Sequence, residues 1–286
     1  MEWRGRRQST NVEDRRGMRI PGGVGGLGIG GLLLAVGLAY CAGVDPSLLL
    51  SGLEEGGGGV VQGSESRAIT PEEEQQSEFI RVVLADTEDV WNQLFAERGS
   101  SYEEPTLVLF KRAVESACGT ASSAVGPFYC SSDAKVYVDL SFFDELDQAL
   151  EAPGDFAQAY VLAHEVGHHV QNLLGIADQV HAAQRRGDEI DANQLSVRME
   201  LQADFLAGVW AHHAERMKQM LESGDVDEAL NAASRIGDDV LQRRSGGQVM
   251  PDSFTHGTAE QRVRWFKKGL ESGRIEDGDT FSARNL

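Results

Sequence analysis

The sequence predicts an α+β domain, mostly helical with a small sheet, preceded by one transmembrane helix. Three observations predict it. Residues 20–44 carry no charged side chain. Residues 156–174 and 196–221 place apolar side chains at helical spacing, whereas 136–140 alternate at strand period. No internal repeat is present, and the helical runs outnumber the strand runs. The expected architecture is a small sheet in front of a helical body, with a cleft between them.

Four segments follow along the 286 residues: a basic N-terminus at 1–19, a membrane span at 20–44, a flexible linker at 45–68, and one domain at 69–286. Arg4, Arg6, Arg7, Arg15, Arg16 and Arg19 precede the apolar run. By the positive-inside rule residues 1–19 stay in the cytoplasm and 69–286 lie outside, in a single-pass cell-membrane protein. As a helix, 20–44 is about 37 Å long, enough for about 30 Å of hydrocarbon. No Ala-x-Ala site follows, which argues against a cleaved signal peptide. Tyr40 is a poor neighbour for a lipidated Cys41. Gly22, Gly26 and Gly30 repeat a GxxxG spacing, a weak suggestion of self-association. Residues 54–66, rich in glycine, form a tether.

Of the 26 basic and 45 acidic residues, six basic and three acidic ones lie in 1–19, which leaves 20 and 42 for the remainder, a balance of −22. Such a surface repels nucleic acid and anionic lipid headgroups, so neither is an expected partner of the domain.

Within the domain, a helix is expected over 71–98, with Ile80, Val83, Leu84, Val90, Trp91, Leu94 and Phe95 as its apolar set. A strand covers 106–110. Cys118 and Cys130 flank a loop rich in Gly, Ser and Ala. A bridge between them suits an oxidising compartment and is worth about 3 kcal/mol in the chain-entropy model; two buried thiols are the alternative. A strand at 136–140 and a short helix at 142–150 follow. The helix at 156–174 has no internal proline, Asp155 as a plausible N-cap and Gly175 as its stop. Residues 175–193 are polar and partly helical. Further helices are expected over 196–221, 225–243 and 258–269.

The chemistry concentrates in His164-Glu165-Val166-Gly167-His168. A helix brings positions i and i+4 onto one face, so His164 and His168 can hold one metal ion, with Glu165 beside them to take a proton from water. Catalytic zinc takes three protein ligands and keeps a fourth position open. A third histidine six residues on is excluded, because that position is Leu174. Glu200 and Asp204, one turn apart on a largely apolar helix, supply the remainder. Glu200 is the expected third ligand, with Asp204 as the fallback. In its own role Asp204 accepts the second N–H of a ligating histidine and fixes its tautomer. Gly167, between the two histidines, could let another backbone come close. Zn²⁺ is the expected cofactor, although Co²⁺ or Mn²⁺ would suit the same atoms. His169, His181, His212 and His213 read as ordinary residues.

His164-Glu-x-x-His168 followed by Glu200-x-x-Ala-Asp204 resembles the gluzincin group of metallopeptidases. The whole chain is similar to the bacterial "putative neutral zinc metallopeptidase" family, a membrane-anchored group. The likeness runs from Arg4-Gly-Arg-Arg-Gln-Ser-Thr-Asn through the histidine motif to Thr255-His-Gly-Thr-Ala-Glu-Gln-Arg262. It implies a zincin-like fold over 69–286 and hydrolysis of a peptide or protein substrate by metal-activated water, with Glu165 as general base. It also implies that His256 stabilises the oxyanion. Arg262 or Arg264 could instead hold Asp204, Glu200 or a substrate carboxylate. The plainer reading of that stretch is a helix start capped by Thr255 or Thr258. An extended substrate would lie along a strand edge, with 136–140 the candidate. A different class of function stays open: a catalytically weak zincin-like membrane protein acting as a binding or quality-control partner. A zinc amidase acting on cell-wall peptides is a nearer rival.

Overall fold

The computed structural model describes residues 1–18, 69–246 and 248–286. The expected span at 20–44 and the expected linker at 45–68 lie outside the described residues, among which no helix is long and apolar enough to cross a membrane. The chain forms two units, one of Met1–Arg16 with Thr70–Leu286 and one of Gly17–Ile69.

The larger unit is α+β, mostly helical, and consistent with a zincin-like domain. Strand β1 (Val12–Asp14) opens it. Helix α1 (Pro71–Glu97) starts at a capping box, in which the Thr70 side chain accepts from Glu73 N and the Glu73 carboxylate accepts from Thr70 N. Proline at the first turn and three acidic residues there suit that end of a helix. Next come β2 (Thr106–Phe110), the hairpin β3 (Ala113–Ser116) and β4 (Gly119–Ser122), then β5 (Phe128–Cys130) and β6 (Lys135–Asp139). The main sheet runs in the order β1-β2-β6-β5, with the first two pairings parallel and β5–β6 antiparallel.

Period-two alternation buries both faces of this sheet. Leu107, Leu109, Val136 and Val138 face the main helical core. Val108, Phe110, Cys130 and Tyr137 form a smaller core with Val114 from the hairpin. That double burial explains why Thr106–Phe110 reads as an unbroken apolar run. The hairpin and β5 lie where a plain loop was expected. Cys118, at the hairpin turn, is bridged to Cys130 of β5, with Cα atoms 5.8 Å apart.

The N-terminal segment packs into the larger unit. β1 pairs in parallel with β2 through Val12–Leu107, Glu13–Val108 and Asp14–Leu109. The arginines that read as a cytoplasmic flank are ion-paired within the unit: Arg6 with Asp86 at 2.7 Å, Arg7 with Glu88 at 2.8 Å, Arg16 with Asp14 at 2.6 Å and Glu74 at 3.0 Å. Strands β1 and β2 share one sheet, so residues 1–16 and 70–286 belong to one unit.

Helix α2 (Ser141–Gln148) leads to the motif helix α3 (Asp155–Leu173). Gly154, not Asp155, is its N-cap; Asp155 is the first helical residue. Gly175 ends it in the left-handed region, at φ 70°. Helix α4 (Ile176–Gln184) and the long α5 (Glu189–Lys218) follow. α5 begins earlier than 196, from an Asp188 cap that accepts from Asp191 N. The helix expected at 225–243 is two, α6 (Asp225–Arg235) and α7 (Asp238–Arg244). They part at Gly237, where a Cβ would stand 2.3 Å from Ala259 N. Helix α8 (Ala259–Ser272) starts at a Thr258–Gln261 capping box.

Candidate metal centre

Two helix crossings assemble the centre. At the first, Gly167 of α3 meets α5: a Cβ there would stand 2.9 Å from the Ala203 carbonyl oxygen and 3.2 Å from its Cα. Glycine between the histidines thus lets the helix carrying Glu200 and Asp204 approach. At the second, Gly208 of α5 and Gly269 of α8 oppose each other, and a Cβ on either would fall about 2 Å from a backbone oxygen of the other helix. That contact brings Arg262, on the first turns of α8, down beside Asp204.

The donors converge. His164 Nε2 lies 3.1 Å from Glu200 Oε2, and His168 Nε2 lies 3.4 Å from Glu200 Oε1. One ligand atom from each of the three residues falls within 4.8 Å of the others. Donors placed tetrahedrally about zinc at bonds near 2 Å stand about 3.3 Å apart. Two imidazole nitrogens and a carboxylate oxygen at these separations fit that ion.

The outer nitrogens fix both tautomers. The Gln171 amide donates to the Met199 carbonyl (2.7 Å) and to Gln202 Oε1 (3.1 Å), which leaves its oxygen to accept from His168 Nδ1–H at 2.9 Å. His164 Nδ1–H donates to Asp204 Oδ1 at 2.8 Å. In the neutral ring each histidine then has its Nε2 lone pair on the Glu200 side. Asp204 also accepts from Tyr160 OH at 2.5 Å and from Arg262, Nε to Oδ2 at 2.8 Å and Nη2 to Oδ1 at 2.9 Å. Burial alone would raise its carboxyl, but Arg262 and His164 outweigh burial and hold it at about 2. Burial likewise disfavours a charged His164, yet Asp204 and Glu200 lift its imidazole to about 10. The pocket around Nε2 is therefore one that favours positive charge.

Glu165 is 8 % exposed and borders the same cleft. Burial raises its pKa against the opposing pull of His164 and His168, the direction that suits a proton acceptor and donor near neutral pH. The cleft, about 760 Å³, is bordered by His164, Glu165, His168 and Glu200, and also by His256, Arg262 and the β5 residues Phe128 and Tyr129. His256 is outside the ligand group but shares the cleft. Its Nδ1 lies 3.2 Å from Asp238 Oδ1, while Asp238 Oδ2 accepts the backbone N–H of Thr255, His256 and Gly257.

Other expectations resolve as follows. Arg264 pairs with exposed Glu260 and does not reach the centre. Thr258 is the helix cap. His212 and His213 bond the Leu270 and Gly273 carbonyls at the end of α8. His181 is exposed on the cleft rim. Strand β6 is flanked by β2 and β5, so it offers no free edge; the edge at the cleft is β5. Sequence reasoning missed Tyr160, Gln171 and Asp238. Tyr160 stands one turn before His164 and Gln171 one turn after His168, a spacing that would have found both. Asp238 lies 18 residues from His256, and no local signal joins them.

The family described as "Putative neutral zinc metallopeptidase" matches residues 1–281. The uncharacterized protein YpfJ of Escherichia coli strain K12 is 49 % identical over 292 aligned positions, covering 98 % of this chain and 99 % of that one. The uncharacterized protein Rv2575 of Mycobacterium tuberculosis strain H37Rv is 42 % identical over 207 positions, covering 69 % of this chain and 68 % of its own. The uncharacterized protein Mb2605 of Mycobacterium bovis matches to the same extent. No solved structure matches.

Proposed function

From the premise that the chain belongs to the "Putative neutral zinc metallopeptidase" family, we propose that it is a zinc-dependent metallopeptidase that hydrolyses peptide bonds in an extended substrate. The observation that carries this reading is the convergence of His164, His168 and Glu200, with both outer imidazole nitrogens already committed to Gln171 and Asp204. A zinc ion held by these three residues would supply Lewis-acid activation of water and of the scissile carbonyl.

The chain's own residues do the rest. Glu165, buried beside the ligands, takes a proton from the attacking water and returns it to the leaving amine. His256, held at the cleft by Asp238, is the residue assigned to the developing oxyanion. Asp204, Tyr160 and Arg262 act through His164.

Zinc-loaded protein and its Glu165→Gln variant, each incubated with casein, test the reading. Cleavage should fall on the order of 10²–10⁴-fold in the variant with stoichiometric zinc retained. Equal residual cleavage by both proteins would reject the peptidase reading and favour a binding role.

We also propose that residues 20–44 attach the protein to a membrane, with 1–16 and 69–286 together on one face. The Cys118–Cys130 bridge favours the oxidising side. Cysteines placed at exposed Gln8 and Lys267 should react alike with a membrane-impermeant maleimide on intact cells. Labelling of one and protection of the other sinks this arrangement.

A further inference from the structure

Strand β5 is the edge of the main sheet and borders the cleft. Among the described residues it pairs with β6 alone, through Phe128–Tyr137, Tyr129–Val136 and Cys130–Lys135. A three-residue edge strand is too short to hold its own position, so its fixings carry information. Alternation sends its side chains to opposite faces. Phe128 stacks on Tyr137, ring centroids 4.8 Å apart, and Cys130 is bridged to Cys118 on that same outer face. Tyr129 points the other way, toward α3.

There it meets a clamp. His169 Nε2 lies 2.6 Å from the Glu103 carbonyl oxygen. A carbonyl only accepts, so Nε2 carries the proton. With the proton on Nε2, the neutral ring has its lone pair on Nδ1. Tyr129 OH, 3.0 Å away, donates to it. The phenol oxygen accepts from Asn172 Nδ2 at 3.2 Å. His169 and Asn172 are one turn apart on α3, and His169 follows the ligand His168 directly. The Tyr129 proton is thus engaged and unavailable to an oxyanion in the cleft.

We infer that Tyr129, His169 and Asn172 are positioning residues that lock β5 to the metal-bearing helix, making β5 the strand on which an extended peptide backbone pairs. The inference rests on the peptidase reading and names its substrate-binding element. Main-chain pairing at an edge gives affinity with little sequence selectivity, so unfolded polypeptide is the expected substrate class. The distance between that strand and the ligands decides whether a paired backbone presents its carbonyl to Glu165. Phenylalanine at 129 keeps the ring and its packing but removes the donor and acceptor together.

The test uses fluorescein-labelled casein and full-length zinc-loaded protein. Tyr129→Phe should raise KM on the order of five- to tenfold, the effect of two lost hydrogen bonds, with kcat changed less than about twofold. Bound zinc should be unchanged. A fall in kcat at constant KM would make Tyr129 a proton donor and overturn the inference, as would no change in either constant. Independently of turnover, casein binding to Glu165→Gln protein is followed by anisotropy. Adding Tyr129→Phe should weaken it by the same factor. Binding that is absent, or equal with and without the Tyr129 change, also overturns the proposal. Loss of the peptidase reading appears separately, as wild-type protein that binds casein through β5 without cleaving it.

Discussion

Asp204 and Asp86 are both buried aspartates facing cations, and they end in opposite states. Asp204, 0 % exposed, shares both oxygens with Arg262 and adds Tyr160 and His164 on one of them. Asp86, 1 % exposed, meets Arg6 at 2.7 Å and Lys218 at 3.4 Å, both on Oδ1, and its Oδ2 has no hydrogen-bond partner. Burial pushes up both carboxyls. At Asp204 the forked guanidinium and the imidazole outweigh it, and the group settles at about 2; at Asp86 burial wins, and the group rises to about 6. Asp86 has two cations and Asp204 one cation plus a histidine, so the count of charges does not decide. At Asp204 the opposing groups engage both oxygens, whereas at Asp86 they meet one oxygen and neighbouring Asp89 adds to the upward push. The metal centre is built on a fully satisfied acid, and the docking face for residues 1–16 on a half-satisfied one.

The largest test removes the fork. Arg262→Met should cost about 3–5 kcal/mol in urea unfolding, because it strands the Asp204 charge inside the protein. Zinc affinity should also fall on the order of 10- to 100-fold, since Asp204 then holds His164 less firmly. An unfolding midpoint within error of wild type would show that Asp204 does not depend on this partner.

The two regions also differ in how far the sequence discloses them. His164, His168, Glu200 and Asp204 are legible because helical spacing converts sequence distance into a shared face, and Tyr160 and Gln171 obey the same rule. The helix at Pro71–Glu97 and the strand at Thr106–Phe110 declare themselves by cap and by apolar pattern. The docking face of Asp86 declares nothing. Val12–Asp14 is too short and too polar to read as a strand, and its hydrogen bonds go to a strand more than ninety residues away. Arginines ahead of an apolar run carry the signature of a cytoplasmic flank, but here Arg6, Arg7 and Arg16 answer to carboxylates of α1. Strand β5 is hidden for a related reason: three residues in a Gly- and Ser-rich stretch acquire their role only from β6, the disulfide and α3.

A second, smaller effect sharpens the contrast through pH. The folded pKa of Asp86, about 6, stands above its ordinary 3.8. Below pH ~4 the group is protonated in both states and has no effect. As pH rises from about 4 through 6 the folded state must ionise a reluctant group, and stability falls by about 2–3 kcal/mol. Asp86→Asn removes this slope, so the variant should gain on wild type across that window and hold its advantage above it. Urea midpoints measured from pH 4 to 8 check this. A difference between the two proteins that stays constant with pH would mean that Arg6 and Lys218 keep Asp86 ionised throughout.

The smallest expected change probes the crossing that puts Asp204 in reach of His164. Gly167→Ala adds a methyl 2.9 Å from the Ala203 oxygen, backbone that cannot swing aside as a side chain would. Helices α3 and α5 must part by a few tenths of an ångström, at a cost of about 1–3 kcal/mol. Glu200 and Asp204 ride on α5, so both the ligand triangle and the bond to His164 widen together. Zinc affinity should fall about tenfold, as for the loss of an outer partner to a ligand. The pH slope from Asp86 should be kept, because its partner on α5, Lys218, lies at the far end of that helix, 15 residues beyond Ala203. Zinc titration and urea unfolding of the one variant therefore separate the two regions. A variant that binds zinc as wild type does would show that the crossing tolerates a methyl and that glycine at 167 is not what sets the spacing of the centre.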